Sequence, residues 1–280
     1  MGRVFVLLIT IQFAFSGCSD SNATGHGEVD CIGFKMATWN IANFGASKSS
    51  EEIEYIAKTV RNYDALAIQE VSTGPAGAQA VAKLVDELDR LGADWDYVVS
   101  DATSGEGSER YAVLWKTAVV KKISEGRLCN ELSATVNREP FLVRLKAGND
   151  TFLIAVFHAV PKAKKPNTEN IQLCIIDSLF ERDHLLLMGD FNASERTAGF
   201  SWLERRKMKG AITGQKTSLK EKPDEHGNTL ASEYDNIYYE TDEMIFLFGS
   251  SYNFSGAFQS LTEARKISDH IPVYGCFRVN

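Results

Sequence analysis

Six apolar runs of this 280-residue chain each end in a short polar island. The islands are Asn40 in MATWNIANF, Glu70 in ALAIQEV, His158 in LIAVFHAVP, Asp190 and Asn192 in LLLMGDFNAS, Asp235 in SEYDNIYY, and Asp269 and His270 in KISDHIPV. An apolar run of this length between turn signals reads as a buried strand, so the residue at its end is presented at the rim of a sheet, where ligands bind. Four acids and two histidines with few basic neighbours repel one another. Like charges about 4 Å apart cost about 4 kcal/mol at an effective dielectric of 20, and a divalent cation relieves that cost. Oxygen donors select a hard ion, so Glu70, with Asn40 and Asp269, is a candidate site for Mg²⁺ or Mn²⁺. Histidine titrates near neutrality and exchanges protons with water and leaving groups. Metal plus imidazole is what hydrolysis of a phosphodiester needs: charge withdrawn from the phosphate, a water deprotonated, a departing oxygen protonated.

Between the islands, strand and helix patterns alternate. SSEEIEYIAKTVRN places Ile53, Ile56, Ala57 and Val60 at helical spacing, with Ser50 as cap and acids in the first turn. A second helix runs from Pro75 towards Gly92, with Val81, Leu84, Val85 and Leu88 on one face. A third is expected from Thr168 to Phe180, with Ile171, Cys174, Ile175 and Leu179 sharing a face behind Asn167. Strands crowd the middle of the chain, and Arg205 to Ser232 reads as a long polar surface excursion. Strands apolar on both faces, with helix stripes near each half, give one α/β domain of two sheets packed together and covered by helices.

The first seventeen residues differ from the rest. Arg3 precedes VFVLLITIQFAF, too short for a comfortable membrane span, so residues 1–17 read as an export signal. Ser16-Gly17-Cys18 resembles the lipobox of bacterial lipoproteins, with Phe15 where leucine is usual, which implies cleavage before Cys18 and a lipid on it. The alternative is conventional cleavage nearby with Cys18 incidental. Residues 18–32 then form a flexible tether and 33–280 the catalytic domain. Removing the signal deletes one basic residue and no acid, leaving 29 basic against 37 acidic side chains. Such acidity argues against a sequence-reading nucleic-acid binder, not against a metal-dependent nuclease. Export permits disulfides. Cys31, Cys129, Cys174 and Cys276 allow three pairings, and the sequence does not choose, although Cys31 precedes the first core strand and Cys276 lies in the last.

WNIANFG, IQEV, SERYAVLW, NREPFLVRL, VFHAVP, MGDFNAS, EYDNIYY and ISDHIPV occur in the order of the endonuclease/exonuclease/phosphatase superfamily, and most resemble its deoxyribonuclease I branch. The resemblance runs from about Phe34 to Phe277. It implies a four-layer αββα sandwich of two mixed β-sheets packed face to face. It pairs Glu109 with His158 as general acid and Asp235 with His270 as base, although residue types alone leave open which histidine is which. Asp190 and Asn192 contact the phosphate, a metal, or both, so Asp190 joins Glu70, Asn40 and Asp269 among the metal ligands. Arg138 is similar to the family's phosphate-contacting arginine, Tyr111 to a tyrosine near the site that either meets the phosphate or only packs, and structural Ca²⁺ sites are open.

Three positions depart from the pancreatic pattern: Gly107 replaces a DNA-packing aromatic, Asn236 an arginine and Ser194 a cysteine. Two basic clusters, Lys162, Lys164 and Lys165, and Arg205, Arg206, Lys207 and Lys209, are candidates to follow a phosphate backbone. The expectation is an exported, lipid-tethered, metal-dependent endonuclease acting on DNA with little base specificity. By default it is a monomer. It would sit at the outer membrane or surface of a bacterial envelope, or alternatively be periplasmic or secreted. The alternative enzyme hydrolyses a lipid headgroup such as sphingomyelin or a phosphoinositide. A third class is a binding protein on the same scaffold without turnover.

Overall fold

The apolar runs become strands in the computed structural model, which describes residues 31–180 and 183–279. The readings on the export signal, on Cys18 and on the tether up to residue 30 lie outside the described residues. In chain order the strands are β1 (Phe34–Phe44), β2 (Ala65–Val71), β3 (Trp95–Val99), β4 (Arg110–Lys116), β5 (Val120–Lys122), β6 (Arg127–Leu128) and β7 (Phe141–Ala147). Then follow β8 (Asp150–His158), β9 (His184–Asp190), β10 (Met208–Gly210), β11 (Asp235–Glu240), β12 (Met244–Ser251) and β13 (Val273–Val279). The helices are α1 (Ser50–Val60), α2 (Pro75–Arg90), α3 (Asn167–Asn170), α4 (Cys174–Leu179) and α5 (Leu261–Ile267).

One sheet has the order β12-β13-β1-β2-β4-β3, the other β10-β11-β9-β8-β7-β5, with β6 on β7. Both are mixed, because β1–β2 and β8–β9 are parallel while their neighbours are antiparallel. Met36, Ala67 and Val113 of the first sheet share a buried core with Val143, Ile154 and Met188 of the second. The opposite face of the first sheet packs on α1, α2 and α5, and that of the second on Leu173 and Ile176 beside α3 and α4. The four layers are helix, sheet, sheet, helix, as expected.

Local chemistry explains the helix limits. Ser49, one residue earlier than expected, caps α1: its hydroxyl accepts from the Glu52 amide while Glu52 accepts from the Ser49 amide. Pro75 opens α2, and Gly92 follows it at φ 104°, a conformation suited to glycine.

The third helix departs from its expectation. It is broken into α3, a 3₁₀ turn and α4, and the face defined by Ile171, Ile175 and Leu179 is 40–42% exposed. Glu169, Asn170, Leu173 and Ile176 are buried instead. The reason is polar: the Glu169 carboxylate accepts from the amides of Asn137 and Val160 at 2.7 Å each, and Asn170 donates to the Phe191 carbonyl. Satisfying those backbone groups turns this face inward.

Cys31 and Cys276 form a disulfide with Cα atoms 5.8 Å apart, tying the chain before β1 to β13, while Cys129 and Cys174 are free thiols. Among the described residues no helix is long and apolar enough to cross a membrane.

Strand register builds the rim. In parallel β8–β9, His158 lies beside Asp190, and in antiparallel β9–β11, Asp190 lies beside Asp235. Three functional side chains therefore stand in one row at the ends of three adjacent strands. Gly189 makes the approach possible: at φ 143°, any Cβ there would lie 1.8 Å from the Phe157 carbonyl oxygen.

Candidate active site

The row from the second sheet meets β1 and β2 of the first across the top of the sandwich. Asn40, at the inner edge of β1, donates through Nδ2 to Glu70 Oε1 and to Asp190 Oδ2, each at 3.0 Å. One side chain thus bridges the two sheets. Where β1 and β2 lose their regular register, Glu70 takes up φ 61° and Asn43 φ 52°, and the Asn43 amide donates to Glu70 Oε2. Asn192 adopts φ 49° just past β9, so that its amide donates to Asp190 Oδ1 at 2.8 Å while its Nδ2 donates to the Ala159 carbonyl. Such backbone conformations are sparsely populated by non-glycine residues and gather at functional sites.

A single atom organises the centre. Asp190 Oδ2 lies 3.5 Å from Nε2 of His158 and 3.5 Å from Nε2 of His270. On its far side His158 Nδ1 is 3.0 Å from both oxygens of Glu109, and His270 Nδ1 is 2.7 Å from Asp235 Oδ2. Each imidazole is therefore held between two carboxylates, with Nδ1 anchored and Nε2 turned to the shared oxygen.

Burial alone opposes protonation of these rings. For His158 the charges of Glu109 and Asp190 outweigh it and raise the pKa; for His270, Asp235 and Asp190 raise it well above the ordinary histidine value. Burial likewise pushes carboxyls up, but both imidazoles and the Asn192 and Asn40 donors hold Asp190 below its ordinary value. Asp235 is pushed up to about 6 by burial and by Asp190, although His270 works against this.

The surroundings fix these partners. Arg138, buried, donates through Nε to the His158 carbonyl, through Nη1 to Glu109 and through Nη2 to the Ala159 carbonyl. Most of its fork holds the His158 segment, so its place in the structure is that of an organiser of the Glu109–His158 pair. Tyr111, expected to meet a phosphate, is wholly buried in the core between the sheets, and its hydroxyl has no hydrogen-bond partner. That expectation is corrected: a ring packed between two sheets does not reach a substrate. The Asp269 carboxylate faces Arg265 at 3.3 Å, and its charge adds to those that raise the His270 pKa. Asn236 uses its amide on the Ile212 backbone, and Ser194 donates to Glu233.

Three residues that sequence reasoning passed over position the network. Thr217 Oγ1 donates to Asp235 Oδ2 at 2.6 Å and accepts from the amides of Tyr234 and Asp235. Ser268 Oγ donates to the Asn40 carbonyl and accepts from the His270 amide. Glu169 ties the segment before Arg138 to the one after His158. Ser268 lay inside the ISDH motif. Thr217 sat in a stretch read as surface excursion, and no pattern marked it.

The donor set suits a divalent ion at Glu70. Asn40 Oδ1 is buried without a hydrogen-bond partner, beside a carboxylate that lines an open recess of about 370 Å³. A buried amide oxygen left unpaired is costly, and a hard cation satisfies it. Asp190, Asp235 and His270 also lie close enough to enclose an ion. There, however, His270 Nδ1 and Asp235 Oδ2 already hydrogen-bond each other.

A sequence model of the Endonuclease/Exonuclease/phosphatase family matches residues 37–270. The chain belongs to this family. A deoxyribonuclease of Thioalkalivibrio sp. (strain K90mix) is 27% identical over 267 residues, covering 88% of this chain and 71% of the relative. Deoxyribonuclease-1 of Bos taurus is 27% identical over 260 residues, covering 86% and 91%. A functionally unknown conserved protein of Enterococcus faecalis V583 shares the fold with a TM-score of 0.64 at 17% identity, covering 88% of this chain and all of that one. Membership of the endonuclease/exonuclease/phosphatase family, with deoxyribonucleases among the relatives, supports a hydrolase acting on phosphodiesters.

Proposed function

We propose that the protein is a divalent-metal-dependent endonuclease that hydrolyses DNA with little base specificity, exported and held at a bacterial envelope by a lipid on Cys18. The observation that carries the hydrolytic reading is the single Asp190 oxygen flanked at 3.5 Å by two imidazole Nε2 atoms, each backed by its own carboxylate. The deoxyribonuclease relatives support DNA as substrate.

Glu70 and Asn40 would hold Mg²⁺ or Mn²⁺, which supplies charge withdrawal from the phosphate. The chain's own residues handle the protons. Glu109 and Asp235 fix the Nδ1–H tautomers, so both Nε2 atoms face the substrate. One imidazole takes a proton from water and the other gives one to the departing oxygen. Asp190 stabilises whichever ring is charged at each stage, and its Asn40 and Asn192 donors keep it ionised.

The test is to incubate the purified protein with supercoiled plasmid and, separately, with phosphocholine lipid vesicles, with Mg²⁺ or with chelator. Nicking of the plasmid only with metal is expected. An intact plasmid alongside hydrolysed lipid overturns the nuclease reading.

A further inference from the structure

A second recess, of about 620 Å³, opens beside the network on its Asn192 and Tyr234 side. Lys162, Lys165, Arg196 and Lys216 line it, against one carboxylate, Glu233. Glu233 stands 3.9 Å from Arg196 and accepts from Ser194. Among the described residues none of the three lysines has an ion-pair partner.

These cations coincide only in part with the clusters visible in the sequence: Lys162 and Lys165 come from the first, Arg196 and Lys216 from neither. Lys164, between Lys162 and Lys165, turns away to Glu106 at 2.8 Å. Two members of the downstream cluster are drawn off too, Arg206 to Asp177 at 2.9 Å and Lys207 to Asp242. What converges instead comes from three segments: the turn ending at Lys165, which takes φ 61°, the stretch after Asn192, and the long segment before β11. The recess on the other flank contains Glu70 and Glu109, with Arg138 tied to Glu109. The field therefore changes sign across the centre.

We propose that the basic recess binds the sugar-phosphate backbone of the nucleic-acid strand running away from the scissile phosphate, so that the enzyme grips successive phosphates and not an isolated phosphodiester. This deepens the nuclease reading and rests on it. Four cations in one recess match a polyanion that continues past the bond being cut. A phosphocholine headgroup would instead bring a quaternary ammonium among like charges. Neutralising strand phosphates releases counterions, about 0.7 per phosphate for a single strand.

Fluorescence anisotropy of a labelled dodecathymidylate with the full chain, in chelator and across a salt series, tests this. Lys162→Ala/Lys216→Ala is expected to weaken binding at least tenfold and to flatten the salt slope by about 1.4, two phosphates' worth. Lys207→Ala/Lys209→Ala, outside the recess, is expected to change neither. In the wild type kcat/KM should also climb from dinucleotide to octanucleotide, and the recess variant should lose that climb. Equal losses in both double variants, or none in the recess variant, overturn the proposal. If the wild type binds the strand through the recess yet cuts no DNA, the nuclease reading fails while the recess stands. If plasmid is nicked and recess substitutions do nothing, the recess assignment alone fails.

Discussion

The chemistry of this chain reduces to how a few side chains are kept from pointing elsewhere. Asp235 is useful to His270 only while its carboxylate stays aimed, and Thr217 does that aiming from a wholly buried position. Thr217→Val keeps the shape and removes the hydroxyl. It should lower kcat about tenfold or more with KM little changed, as removal of a supporting hydrogen bond does at comparable sites. A shifted pH profile in the variant would mark loss of positioning, whereas unchanged kcat at every pH would show that Thr217 is a bystander. Glu70, His158 and Asp190 were legible because strand ends announce themselves by the stop of an apolar run, whereas Asn40 lies within β1, Asp235 opens β11 and His270 precedes β13. Thr217 and Glu169 were not, because their partners are backbone amides brought close only by the fold. Tyr111 marks the opposite limit: position in a motif gave proximity to the centre but not which way a side chain faces.

At the scale of elements, the site depends on the pairing of β8, β9 and β11. Gly189→Ala would place a methyl group against the Phe157 carbonyl and force β9 from β8. The expected cost exceeds about 3 kcal/mol, read as a fall in the thermal midpoint together with loss of hydrolysis. A variant as stable and active as wild type would mean that the β8–β9 contact does not set the site.

The same sheet carries a pH signature away from the centre. At the end of β11, burial, with Glu243, Asp177 and Asp242 nearby, pushes Glu240 up to about 7, against the opposing pull of His184. The folded state then holds a proton that the unfolded state releases, so stability declines as pH rises from about 4 to 7. Glu240→Gln should accordingly raise the thermal midpoint more at pH 8 than at pH 5; an equal difference at both contradicts the assignment. Helix legibility followed the same physics. The stripes of α1 and α2 were read correctly because apolar burial decides their faces. The α3–α4 segment was misread because buried polar groups, Glu169 and Asn170, outweighed Ile171 and Ile175.

For the molecule as a whole, two sheets must keep a fixed distance while metal and substrate come and go. Asn40 and the intersheet core do this near the site, while the Cys31–Cys276 disulfide, 245 residues apart in sequence, pins the chain before β1 to its neighbour β13 within the first sheet. Replacing both cysteines by serine should cost about 2–5 kcal/mol, a fall on the order of 5–15 °C in the melting temperature, with the folded-state activity retained. An unchanged melting temperature would show that the crosslink contributes nothing to stability. The layered fold was legible because strand runs and helix stripes alternate in a simple way. The choice among three disulfide pairings was not, since it depends on which strands become neighbours.

Hydrolysis here depends on two histidines serving one bond across one carboxylate. Its most direct test is plasmid nicking at saturating Mg²⁺ by wild type, His158→Ala, His270→Ala and the double variant. Each single change should lower kcat/KM by at least about 10³, and the double variant should be scarcely worse than the poorer single one, because residues acting as a unit are not additive. Losses that multiply, or either single variant retaining wild-type rates, would contradict it.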